Sequence, residues 1–351
     1  MEAMNVSYPQ MQREDDAYVS DPIRHLERGI LPDRAWVEID RTCLRHNIEA
    51  LSRFLQEGCS FYAVLKANAY GLGAVPIARA LNDIGIEAFC VATISEGIAL
   101  RKAGIRGEIL IFGYTPPHSG LDLLRYDLTQ SLLDYPHAKE LSELGIPLHV
   151  QIKVDTGMSR LGINYNDIES IKKIFQCANL NVVGTFSHLC VADFFTETDI
   201  AFTKQQISRF DEAIATIRSL GYHPGITHMQ ATPGLLNYAE LQYDRVRIGV
   251  SMYGILSTLE TTTRRSVDFH PVISIRARIM QVKKIATGDS VGYGRLFIAE
   301  RDSTIAVVPM GYGDGFPRKW GREGYVLIRG KRAPIIGVCM DTFMIDVTDI
   351  P

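Results

Sequence analysis

No run in this 351-residue sequence approaches the ~18 consecutive apolar positions that a membrane-crossing helix needs. The opening residues, M-E-A-M-N-V-S-Y-P-Q, hold no apolar signal core. Charge of one sign is missing too. Lys and Arg number 37 and Asp and Glu 40, and the net charge of -3 gives no basic field for nucleic acid or an anionic membrane. The six cysteines, Cys43, Cys59, Cys90, Cys177, Cys190 and Cys339, form no C-x-x-C pair and read as reduced thiols of a cytoplasmic protein. No metal is expected. No internal repeat or low-complexity tract is present, and no G-x-G-x-x-G turn follows the first strand-like run.

What is there is a soluble composition, 46% hydrophobic and 22% charged, in a chain long enough for one large domain and a smaller one. Residues 1–33 read as a polar extension or linker. Trp36 to Asp40 is strand-like, and Asp40 or Thr42 can cap a helix over Leu44 to Gln56. Eight strand-like runs then alternate with helical patterns: Phe61 to Leu65, Ala88 to Ala92, Glu108 to Phe112, Leu128 to Leu132, Leu148 to Val154, Val182 to Ser187, Gly225 to Met229 and Asp244 to Ile248. That count predicts an α/β fold, a (β/α)8 TIM barrel over residues 34–256, with an open doubly wound sheet as competitor. From residue 257 on, β-rich segments without helices (Val272 to Met280, Thr304 to Val308, Tyr325 to Ile328, Pro334 to Val338) predict a C-terminal antiparallel β domain.

The most informative stretch is V-L-K-A-N-A-Y-G-L-G, residues 64–73. It brings Lys66 to the end of a buried strand, where desolvation would lower an ammonium pKa toward a nucleophilic amine suited to Schiff-base chemistry. A snorkelling strand-end lysine before an ordinary turn is the plainer alternative. Barrel chemistry gathers where strands end. Lys153, Asp155 and Arg160 stand in K-V-D-T-G-M-S-R-L-G, as a site or as a structural ion-pair cluster. His188 and His228 end the sixth and seventh strands. Arg247, in R-V-R-I-G-V-S-M-Y-G, stays charged when buried and needs a fixed acceptor, for which a pyridine nitrogen would serve. Gly249 and Val250 could offer backbone N–H groups to a phosphate, and Thr232 its hydroxyl. In the β domain, Tyr293 in G-Y-G-R, Tyr312 in G-Y-G-D-G and Met340-Asp341 in V-C-M-D stand out, although each could be turn chemistry.

Taken in order, these six motifs resemble the alanine racemases over roughly Arg34 to Pro351. The resemblance implies a pyridoxal 5'-phosphate enzyme that interconverts L- and D-alanine, L- and D-serine, or both, for cell-wall precursors, as a head-to-tail homodimer acting on a small amino-acid substrate. By it Lys66 holds the cofactor covalently, and Tyr70, Thr232, Gly249 and Val250 hold its phosphate. Arg247 faces the ring nitrogen, His188 lies against the ring, and His228 orients Arg247. Arg160 contacts the cofactor and the substrate carboxylate, with Lys153 as a carbamylated partner. Tyr293, Tyr312 and Met340 would come from the partner subunit, and Lys66 and Tyr293 would act as two bases on opposite faces of the α-carbon.

Departures from the family pattern are Leu72 where a histidine is usual, and H-M-Q-A-T-P-G, with Ala231 where an asparagine is usual. By the resemblance the chain also stops before a further pocket tyrosine. These departures and the polar start are similar to the membrane-anchored serine/alanine racemases of glycopeptide-resistant (vancomycin-resistant) enterococci, which would make the chain the cytoplasmic part of an anchored protein. A decarboxylase of the same architecture is the first alternative, but it would set an acid against the ring nitrogen. A non-catalytic pyridoxal phosphate carrier is the second, but it would lack the β domain.

Overall fold

A computed structural model describes residues 34–241, 243–256 and 261–351. The extension at residues 1–33, and residues 257–260 where the β domain was expected to begin, lie outside them. The chain divides into two compact units, residues 39–274 and residues 34–38 with 275–351. The unit boundaries therefore differ from those expected at 34 and 256. The opening strand Ala35–Ile39 pairs with Ile273–Ala277, so it does not start the barrel.

The larger unit is a closed barrel of eight parallel strands. They are β1 (Ser60–Val64), β2 (Ala88–Val91), β3 (Glu108–Ile111), β4 (Thr129–Leu132), β5 (Leu148–Asp155), β6 (Leu180–Phe186), β7 (Ile226–Ala231) and β8 (Arg245–Ile248). Each pairs with the next in parallel register, and β8 pairs with β1 to close the ring. Every residue of β2 and β4 is buried, as strands covered on both faces must be. Side chains alternate between two environments. Phe61, Ala63, Phe89, Ile109 and Ile111 pack with the helices, whereas Tyr62, Val64, Cys90, Leu110 and Phe186 form a separate cluster inside the ring.

The helices start where side chains satisfy their orphan N–H groups. Asp40 accepts from Thr42 and Cys43 ahead of Arg41–Ser52, and Thr93 and Glu96 form a capping box at Ile94–Lys102. Asp134, Asp167 and Thr196 cap three more in the same way.

In the smaller unit β9 (Gln281–Ile285), β10 (Ser303–Val308), β11 (Tyr325–Ile328), β12 (Lys331–Val338) and β13 (Phe343–Asp346) make a sheet in the order β9-β10-β13-β12-β11. All four pairings are antiparallel. The single strand expected over Val272 to Met280 is interrupted, because Met280 N–H turns to Val307 O at 2.8 Å and pairing passes to β10.

Candidate active site

Lys66 follows Leu65 at the C-terminal end of β1 and opens an unusual turn. Ala67, Asn68, Ala69 and Tyr70 all have positive φ, 52, 53, 55 and 58°, one turn of left-handed helix. Such a conformation costs about 1–2 kcal/mol for each residue bearing a Cβ, so the surroundings must hold it. They do: Ala69 N–H donates to Leu65 O at 2.8 Å, Gly71 to Ala67 O at 2.9 Å, and Gly73 to Asn68 O at 2.9 Å. The Asn68 carboxamide accepts from Ala74 N–H at 2.8 Å, and Glu96 Oε1 accepts from Ala67 N–H at 2.6 Å. Gly71 and Gly73, at φ 90 and 95°, let the chain leave the turn without a Cβ penalty. Lys66 itself is exposed, so the chain alone does not desolvate it as the sequence suggested.

The desolvated lysine is Lys153 on β5. Its ammonium donates to Val154 O at 2.8 Å, and burial, assisted by Arg247, pushes its pKa down to about 7. Asp155 does not pair with it: one carboxylate oxygen accepts from the backbone of Gly157 at 2.9 Å and of Ser159 at 3.1 Å. Among the described residues Lys153, Asp155 and Arg160 form no ion pair, so the structural-cluster reading of that motif does not hold.

Arg247, near the end of β8, is only 4% exposed. It donates to Ser187 O at 2.8 Å, to His188 Nδ1 at 2.9 Å, to Met229 O at 3.0 Å, and at short range to His228 Nδ1. All four acceptors are uncharged. Burial, then the Arg247 charge, holds both imidazoles well below the usual histidine range, so they remain neutral acceptors. The guanidinium is itself pushed down to about 10 by burial, which leaves it charged at neutral pH.

These groups border a cavity of about 550 Å³ lined by Lys66, Tyr70, Lys153, Arg160, His188, Thr232, Arg247, Gly249 and Val250. His228 does not line it; it lies beneath Arg247. At one part of the wall Thr232 and Ser251 share a 2.5 Å hydroxyl hydrogen bond, and Gly249 leads into the turn Val250–Tyr253. A Cβ at 249 would lie 2.3 Å from the Tyr70 hydroxyl, so only glycine admits that approach. Two hydroxyls, a tyrosine and the backbone at Gly249 and Val250 line this part of the wall and could donate to a phosphate. An amine and an arginine whose partners are all neutral complete a set that fits pyridoxal 5'-phosphate.

The remaining expected residues belong to the smaller unit. Tyr293 begins the turn Tyr293–Arg295 and is 77% exposed. Tyr312 and Met340 are neighbours there, joined through Tyr312 N–H to Cys339 O at 3.1 Å and Gly313 N–H to Met340 O at 2.7 Å.

The sequence reading missed Glu96, Ser251 and the apolar wall of Phe112, Phe186, Leu161 and Leu256. It also missed Gln151, although its position two residues before Lys153 puts both on one face of β5. Away from the cavity lining, His46, Asp268 and His270 bring their donor atoms within 4.8 Å. The two rings stack at 3.7 Å and 10°, and both Nε2 atoms lie near Asp268 Oδ2, at 3.6 Å from His46 and 3.4 Å from His270.

The alanine racemase N-terminal domain family matches residues 39–257 and the alanine racemase C-terminal domain family residues 272–351. The chain belongs to the alanine racemase family. It is 40% identical over 321 residues to an amino-acid racemase of Enterococcus faecalis, covering 91% of this chain and 45% of that protein. It is 38% identical to the serine/alanine racemase of Enterococcus gallinarum over 320 residues, covering 91% of this chain and 46% of that protein. It thus spans about half the length of these relatives. A solved alanine racemase of Clostridium difficile 630 superposes with a TM-score of 0.84 at 28% identity, covering 90% of this chain and 84% of that one. Alanine racemases are pyridoxal 5'-phosphate-dependent isomerases. The matches favour the racemase reading over a decarboxylase or a carrier. No helix among the described residues is long and apolar enough to cross a membrane.

Proposed function

We propose that this chain interconverts the enantiomers of alanine, serine or both by a two-base route. The observation that carries the reading is Arg247, buried on four neutral acceptors in the cavity that Lys66 borders. Bound pyridoxal phosphate supplies an electron sink for the charge left at the substrate α-carbon. An arginine beside the ring nitrogen does not surrender its proton at neutral pH, which keeps that sink weak and discourages side reactions. Tyr70, Thr232 and the backbone at Gly249 and Val250 hold the phosphate, and His188 supports the ring.

The Lys66 amine handles the α-proton on one face, and the hydroxyl of Tyr293 of the partner subunit handles it on the other, in a head-to-tail dimer. Tyr312 and Met340 of the partner subunit border the substrate. Arg160 binds the substrate carboxylate. Carbamylation of Lys153 would orient Arg160, and the pKa of about 7 supports it, because only the neutral amine adds to CO2. The name of the E. gallinarum relative, a serine/alanine racemase, supports serine as a second substrate. Racemisation of L-serine and L-alanine measured side by side tests substrate choice. An alanine preference of orders of magnitude would end the serine reading.

A further inference from the structure

The roles above leave unused a chain of polar side chains running through the barrel beneath Arg247. Glu108 opens β3 and Arg245 opens β8, so both stand at the strand ends opposite Lys66, with Arg245 donating to Glu108 Oε2 at 2.5 Å. Gln151, fully buried on β5, links them to the site. Its amide nitrogen lies 2.9 Å from Glu108 Oε1 and 2.8 Å from the Tyr62 hydroxyl. Its amide oxygen lies 2.7 Å from His228 Nε2, and His228 Nδ1 meets Arg247.

The direction of every bond in this chain follows from its two ends. An ionised carboxylate only accepts, so Glu108 takes the NH2 side of Gln151 and leaves the amide oxygen for His228. That oxygen demands a proton on His228 Nε2. A neutral imidazole carries one N–H, so Nδ1 is left bare and accepts from Arg247, which has only donors. The other tautomer would set N–H against N–H at Arg247 and leave the Gln151 oxygen buried without a donor, at a cost of about 1–3 kcal/mol for each unmet group.

We infer that Glu108 and Gln151 are positioning residues: they fix His228 as the neutral Nε2–H tautomer and so hold Arg247 as a donor in the cavity. The catalytic meaning of this arrangement rests on the racemase reading. The tautomer does not. A salt bridge at the far end of the barrel thus sets the proton inventory of the active site, and a change at Glu108 should be felt by a histidine it does not touch.

The test is 15N NMR of the full chain with its cofactor, labelled at its nine histidines, the His228 signal being the one absent from His228→Gln. The expected spectrum at neutral pH shows a protonated Nε2 and an unprotonated Nδ1. In Gln151→Leu the acceptor of the Nε2 proton is lost, and His228 is expected to show a mixture of the two neutral tautomers. kcat should then fall about 10- to 100-fold with KM changed by less than about threefold, the scale of losing a partner that orients a functional histidine. Wild-type His228 found as the Nδ1–H tautomer or as a cation overturns the inference whether or not any variant folds. A Gln151→Leu protein whose His228 stays wholly Nε2–H with unchanged kcat also overturns it. A wild type that shows the expected tautomer but racemises neither alanine nor serine overturns the proposed function and leaves this inference standing.

Discussion

Glu96 clamps the turn behind Lys66. One of its carboxylate oxygens accepts from Ala67 N–H at 2.6 Å, and the other from Ala92 N–H at 2.7 Å and Thr93 N–H at 3.2 Å. A residue that caps its own helix thereby also restrains four consecutive left-handed residues. The position of the lysine depends on that second bond.

Removing the clamp should loosen the turn. Glu96→Ala is expected to lower the unfolding free energy by about 1–2 kcal/mol, the scale of a lost helix cap, since the N–H groups it satisfies are exposed or half-buried. Cofactor affinity should fall along with it. Chemical denaturation and cofactor titration check this, and wild-type affinity in the variant would show that the turn holds itself.

Lys66→Ala should abolish the visible absorption band of the lysine-bound cofactor in the purified protein. A variant that keeps the band would assign the covalent link to another lysine, of which Lys153 is the other one lining the cavity.

Crowding at Gly249 gives a steric prediction. A methyl group at this position meets the Tyr70 hydroxyl at 2.3 Å, so Gly249→Ala should displace the tyrosine and weaken cofactor binding about tenfold or more. Equilibrium dialysis against pyridoxal 5'-phosphate would measure it, and unchanged affinity would remove the phosphate cradle from this place.

Much of this was legible because parallel barrel strands are apolar runs that end in polar residues. Lys66 and His188, just past their strands, therefore stand out in the sequence, whereas His228, expected at a strand end, lies within β7 and Arg247 one residue before the end of β8. The misses have physical reasons. β9, Q-V-K-K-I, is an edge strand exposed along most of its length and lacks an apolar signature. The burial assigned to Lys66 belongs to Lys153, because the cavity opens above the first lysine and closes over the second. Glu96 and Gln151 act through bonds that span 29 and 77 residues of sequence, which no local pattern reports.

Lys153 ties stability to pH. Its folded pKa of about 7 lies below the 10.5 of the free side chain, so the unfolded chain binds more protons between those values. In CO2-free buffer, stability should therefore rise with pH from about 7 to 10.5, relative to Lys153→Met. The penalty is fully present below pH 7. Thermal denaturation of both proteins across that range checks it, and parallel curves would refute it.

Tyr293→Phe should slow α-proton removal from one enantiomer far more than from the other, read as unequal primary deuterium isotope effects in the two directions. Equal losses would remove the two-base assignment.

The central claim is amino-acid racemisation centred on Lys66. It is tested most directly by incubating the purified protein, with pyridoxal 5'-phosphate, with L-alanine and L-serine separately, and resolving the products on a chiral column. The account predicts the D-enantiomer of at least one substrate with the wild type, and neither with Lys66→Ala. Amine and CO2 with no D-amino acid, or no turnover of either substrate, would contradict it.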